Sequence, residues 1–194
     1  MKYRGFISSV LMMATLLCGC TAAPSAAKEI AQYYQSLTAW QANVSMTVDL
    51  GTQTAAFLLA WDVTPNDSRI TVLEPSEIAG IGVMIAPDRQ TLSYETASIA
   101  LPRSDGTMAP MPLEALCAIE ALWKYGVRTA EAMESRDGIQ VIRIDCSSSD
   151  ETQPLSITSW FDAAARSPVA AEVYYEGERL IACEFHAFVP QLCE

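Results

Sequence analysis

Residues 43–61, NVSMTVDLGTQTAAFLLAW, decide the fold. In the first half Val44, Met46, Val48 and Leu50 alternate with Asn43, Ser45, Thr47 and Asp49, and Gly51 closes the run. Side chains two apart on an extended chain share a face, so this is a half-buried strand followed by a turn. The second half, from Thr54 to Trp61, is apolar on both faces: Ala56, Leu58 and Ala60 oppose Phe57, Leu59 and Trp61. Such a strand needs cover on its second face as well.

Outward from this pair the same two-residue period recurs. Short strands are predicted over 69–73, 82–85, 91–94 and 98–101, punctuated by Pro65, Asn66 and Asp67, by Glu74, Pro75 and Ser76, and by Pro87 and Asp88. Further strands follow over 129–133, 139–146, 155–161, 169–175 and 179–188, with Gly177 marking a hairpin between the last two. Two segments carry a helical period instead. Residues 27–40 place Ile30, Tyr33, Tyr34, Leu37 and Trp40 on one face, and 112–125 do so with Leu113, Leu116, Ile119, Leu122 and Trp123. Pro112 fits a first helical turn and Gly126 a C-terminal cap. Residues 103–110 read as a polar loop. About ten or eleven strands with two helices predict an α+β fold: a strongly curved antiparallel sheet with both helices packed on its concave face.

The chain has 194 residues, 51% hydrophobic and 18% charged, which suits one folded domain rather than a disordered chain. With 23 Asp and Glu against 12 Lys and Arg, it has no basic surface to displace counterions from nucleic acid, and a nucleic-acid partner is excluded. At the N-terminus Lys2 and Arg4 precede an apolar run from Phe6 to Leu17, too short for the roughly 20 residues of a membrane span. Leu17-Cys-Gly-Cys20 is similar to a bacterial lipobox. That similarity implies a lipoprotein signal peptide over 1–19, an acyl anchor (palmitate) on Cys20, a tether over 20–27 and a domain over 28–194. Cleavage would remove two cations and no acid, taking the net charge from −11 to −13. An anionic bilayer repels such a surface, so the lipid must do the anchoring. The expected location is extracytoplasmic, at the cell membrane.

Outside the cytoplasm the four remaining cysteines allow three full pairings. Ile142, Ile144 and Cys146 share one strand face, and Ile181, Cys183 and Phe185 share another, so both thiols point at the core. The preferred pairing is Cys146 with Cys183, and Cys117 with Cys193 would then clip the tail to the second helix. The alternative is that some are buried thiols packing as small hydrophobes. No metal site is expected, since no Cys-x-x-Cys occurs and the single histidine, His186, has no ligand at metal spacing. No cofactor is expected either, because Gly80-Ile-Gly82 lacks the rest of a nucleotide fingerprint. No Gly-x-Ser-x-Gly marks a nucleophile, and a non-catalytic protein is expected.

The element order behind a lipobox, together with Val72-Leu-Glu-Pro-Ser-Glu-Ile-Ala-Gly-Ile81, Leu92-Ser-Tyr94 and Pro110-Met-Pro-Leu113, resembles the LolA/LolB-type lipoprotein-localisation superfamily. Within it, the similarity is to the lipoprotein-sorting and spore-germination (GerS-like) branch. The resemblance implies a half-barrel whose apolar interior receives acyl chains in relatives. Candidate lining residues are Val44, Met46, Val48, Ala56, Leu58, Leu116 and Ile119. Two roles follow. In one, the cavity binds a lipid or acyl chain. In the other, the domain is a lipid-tethered module that positions or activates a cell-envelope or spore-cortex enzyme, and its partner is an envelope protein.

Overall fold

The computed structural model describes residues 25–101, 112–148 and 155–192. Helix α1 (Ala26–Ser36) leads into β1 (Leu37–Asp49), β2 (Thr54–Val63) and β3 (Ser68–Glu74). A single 3₁₀ turn (Ser76–Ile78) precedes β4 (Gly82–Ile85), β5 (Gln90–Tyr94) and β6 (Ala97–Leu101). Helix α2 (Pro112–Tyr125) then leads to β7 (Val127–Arg136), β8 (Ile139–Ser147), β9 (Leu155–Asp162), β10 (Pro168–Tyr175) and β11 (Glu178–Leu192). The strands form one antiparallel sheet in the order β6-β5-β4-β3-β2-β1-β11-β10-β9-β8-β7. Every neighbour pair is a hairpin in sequence except β1 with β11, which joins the two halves of the chain along their longest strands. The sheet does not close. The chain leaves one free edge at β6 and returns to the other at β7 by way of α2.

Local chemistry sets the boundaries. Ser25 caps α1 by accepting a hydrogen bond from the Lys28 amide, so Ala26 and Ala27, read above as the end of the tether, belong to the first helical turn. The Leu37 amide bonds back to the Tyr33 carbonyl and its backbone turns extended, which ends the helix at Ser36. Leu37 and Trp40 are therefore strand residues, not helical ones, paired with Leu192 and with Val63 and Pro190. The helical period ran on through them because Trp40 faces the same core as Ile30 and Tyr34. Asp137-Gly138 and Glu176-Gly177 both have two successive positive φ angles, the geometry of tight hairpin turns that only such short or side-chain-free residues adopt readily.

Both helices lie against one face of the sheet and share one core with it. At its centre the rings of Tyr34 and Trp123 stand 4.9 Å apart, Trp123 is 5.2 Å from Phe161, and Trp40 meets Trp61 edge-on at 5.8 Å. Buried indoles need acceptors: Trp123 Nε1 donates to Ser159 Oγ and Trp61 Nε1 to Ser68 Oγ, each at 2.8 Å. The Tyr34 hydroxyl donates to the Arg166 carbonyl at 3.0 Å. The opposite face of β7 to β11 carries ion pairs, among them Arg143 with Asp145 and Arg179 with Glu172.

The expected Cys146–Cys183 disulfide is absent, and both thiols are free. Both do face the core. Cys183 pairs through Ala171 and Ser159 to Ile144, and Cys146 through Ile157 and Val173 to Ile181. Three strand spacings of about 4.8 Å separate their strands, roughly twice the Cα distance a disulfide spans. Cys117 is also free. Cys193 lies outside the described residues, as do Cys20, the signal and most of the tether, and the loop over 103–110.

Candidate functional site

Cross-strand pairing lines up one inner-face row from the centre of the sheet to its first edge: Trp61, Ile70, Val83, Leu92 and Ile99. Ile70 and Val83 are 0% and 3% exposed, whereas Ile99 is 59% exposed. Helical cover therefore fades between β4 and β6. There the inner face opens into a hollow of about 400 Å³, within the ~300–1,000 Å³ of small-molecule sites.

The floor of the hollow is Val72, Val83 and Leu92, and its rims are Phe57 on β2 and Leu101 on β6. Ile78 and Ile81 close one end from the 3₁₀ turn and the segment after it, and Pro112 closes another from the start of α2. Each is held by ordinary local structure. Val72 accepts the Gly80 amide and donates to the Ile81 carbonyl, which folds the turn back over β3. The only polar side chain among the described lining residues is Gln90. It is 3% exposed, and its Nε2 has no hydrogen-bond partner. No described lining residue is ionisable, so the described lining can bury apolar matter and supplies no general acid, base or nucleophile.

The residues expected to line a cavity divide between the two faces. Val44, Met46, Val48, Leu116 and Ile119 are all buried together in the core cluster, packed rather than lining the hollow. Beneath α1 the free space is only about 10 Å³, barely room for one water. Ala56 and Leu58 are paired with Thr47 and Ser45 and so lie on the opposite, outer face, Ala56 exposed and Leu58 partly so. The even positions of β2 were indistinguishable from the odd ones by composition, and only the register against β1 separates them. Val83, Leu92 and Leu101 were read as strands without being placed at a site. The available signal was arithmetic: the sequence pattern of the domain offers two helical segments for ten or eleven strands.

His186 sits on the outer face, exposed, with its Nε2 3.1 Å from Ser45 Oγ. Among the described residues no carboxylate hydrogen bond to its other ring nitrogen is present, so the pair lacks the third group that would orient the imidazole. Among the described residues no group of three or more His, Cys, Asp or Glu stands close enough to hold a metal ion. Among them, too, no helix is long and apolar enough to cross a membrane. Burial pushes the Cys117 thiol up to about 11 and the Cys183 thiol up to about 12, which leaves both protonated and unreactive at neutral pH.

No family model matches the chain, and no curated protein matches it in sequence. Solved structures do match in shape. A DUF1329 family protein from Desulfovibrio piger superposes with a TM-score of 0.53 at 8% identity, over 86% of this chain and 92% of that one. A domain classed with the outer membrane lipoprotein-sorting proteins, from Vibrio parahaemolyticus, gives 0.51 at 15% identity over 86% and 94%. An uncharacterized conserved protein from Thermus thermophilus gives 0.51 at 13% identity over 87% of each. The fold is shared with a lipoprotein-sorting domain. At these identities the likeness extends to the fold alone. It agrees with the architecture that the lipoprotein-localisation resemblance implied: two helices with a large, unclosed antiparallel sheet.

Proposed function

We propose that the protein is an extracytoplasmic lipoprotein, tethered through Cys20, that binds an apolar ligand, a lipid or acyl chain, without catalysing its conversion. The observation that carries this reading is the hollow of about 400 Å³, whose described lining is apolar apart from Gln90 and holds no ionisable group. A hollow of that size with an almost wholly apolar lining suits an apolar occupant. The shared fold of the Vibrio lipoprotein-sorting domain and the lipobox-like Leu17–Cys20 support an envelope location.

Ring packing supports a sheet bent about its helices. Trp61 on β2 and Phe161 on β9 lie 6.2 Å and 5.2 Å from Trp123, hence no more than about 11 Å from each other, although four flat strand spacings would set their backbones about 19 Å apart. The helices then occupy the middle of a trough, and the hollow is the part of the trough they leave over. Native mass spectrometry of the full-length protein extracted from membranes tests the reading. It is expected to carry co-purifying lipid that Leu92→Glu abolishes, since a carboxylate in the floor would have to be desolvated against the acyl chain. Lipid-free protein, or lipid retained by the variant, would contradict it.

A second reading, a tethered module that positions or activates an envelope or spore-cortex enzyme, is favoured by one feature. The free edge strand β6, ASIAL, carries no charge, whereas the other free edge, β7, carries Arg128, Glu131, Glu134 and Arg136. Uncharged edges invite strand pairing with a partner. A stable protein partner lost on Ile99→Lys, with no lipid present, would favour it over the first reading.

A further inference from the structure

The hollow is bounded as well as apolar. Phe57 and Leu101 stand at its rims, Ile78 and Ile81 shut one end and Pro112 shuts another, so its capacity is finite. Size then decides what it can take. An apolar cavity of about 150 Å³ accommodates one benzene ring, or about 25 Å³ for each carbon. At that density a hollow of about 400 Å³ fills with about 16 carbons. That is one ordinary acyl chain. Two such chains side by side would need about 800 Å³, so a second chain is left in water. The lipid head stays outside too, because the described lining offers no ionisable group to meet a charged one.

Resting on the lipid-binding reading, we propose that the hollow is a length gauge: it takes a single acyl chain of about 16 carbons, and Leu92 and Leu101 set that length. Each methylene laid against the apolar wall leaves water and tightens binding, whereas carbons added after the hollow is full remain in solvent and add little. Affinity therefore rises with chain length and then breaks. Leu92 lies in the floor and Leu101 on the rim strand. Both are half-buried and neither belongs to the core cluster, so either can be shortened without opening the packed interior. Leucine to alanine removes three side-chain carbons, which makes room for up to about three more carbons of ligand.

The test is displacement of the neutral dye N-phenyl-1-naphthylamine from the full-length protein by lysophosphatidylcholines of about 10 to about 22 carbons, held below their micelle concentrations. Their head carries no net charge, so the acidic surface of the protein neither draws nor repels them. Wild type should bind about two- to fourfold more tightly per added carbon up to about 16, and change by less than about 1.5-fold per carbon beyond. Native mass spectrometry at saturation should count one lysolipid per protein. In Leu92→Ala and Leu101→Ala the break should move out to about 18 or 19 carbons. A wild-type affinity still rising past about 20 carbons, a break at about 12 or fewer, two lysolipids per protein, or a break unmoved in both variants overturns the gauge while leaving lipid binding standing. If wild type takes up neither the dye nor any lysolipid, the lipid-binding reading itself fails.

Discussion

Gly126 measures how closely α2 is fitted to the sheet. A Cβ there would come within 2.6 Å of the Leu122 carbonyl oxygen and 3.1 Å of the Cys146 Cβ, and neither is the loose end of a flexible side chain. Gly126→Ala is expected to cost about 1–3 kcal/mol, read as a lower midpoint in thermal unfolding followed by circular dichroism. The cysteines carry a second prediction. Cys183 has its thiol raised by burial from about 9 to about 12, so the folded state holds its proton longer than the unfolded chain. Its contribution is complete below the unfolded value and is lost as pH climbs from about 9 through about 12. Cys183→Ala should flatten that alkaline decline in stability measured by urea titration. With no Cys146–Cys183 bond, both thiols should be alkylated in the unfolded, unreduced chain and protected in the native one. The inward direction of both thiols was legible from the alternation of 139–146 and 179–188. Their separation follows from β8 to β11 pairing as successive hairpins, which sets β9 and β10 between the two strands; inward alternation alone does not encode that spacing.

Among elements, α2 was legible to the residue, since Pro112 and Gly126 bracket it chemically. The end of α1 was not. No breaker separates Ser36 from Leu37, and burial in one core gave helix and strand the same apolar spacing. The hairpin of β10 and β11 illustrates how little the charged outer face adds. Burial lifts the Glu172 carboxyl, but hydrogen bonds from the Tyr174 hydroxyl at 2.6 Å and Arg179 at 2.8 Å outweigh it and hold the group below the usual carboxylate range. The folded value being depressed, this stabilisation is present above the unfolded value and lost as pH falls through the folded one. Arg179 is largely exposed, so Glu172→Gln is expected to lose only about 0.2–1 kcal/mol at pH 7 in urea unfolding. The difference from wild type should vanish on acidification below the carboxylate range.

At the scale of the molecule, dimensions explain why a hollow exists. Eleven strands at about 4.8 Å spacing make a sheet about 48 Å wide if laid flat, while the two described helices side by side, each about 10–12 Å across, cover at most about half of it. The long strands at the centre and β3 take that cover, and it fades across the short strands β4 to β6, whose apolar inner face is left at the margin. Strand and helix counts were both legible in the sequence, so the shortage of cover was too. Which strands go uncovered was not, since that follows from the β1–β11 pairing at the centre of the sheet. The most direct measurement is photolabelling of the full-length protein with a palmitoyl ester bearing a diazirine on its chain, mapped by peptide mass spectrometry. Labels are expected on Val72, Ile81, Val83 and Leu92. Labels confined to the outer-face Ala56 and Leu58, or none above the level of a polar diazirine control, would contradict a lipid-binding hollow.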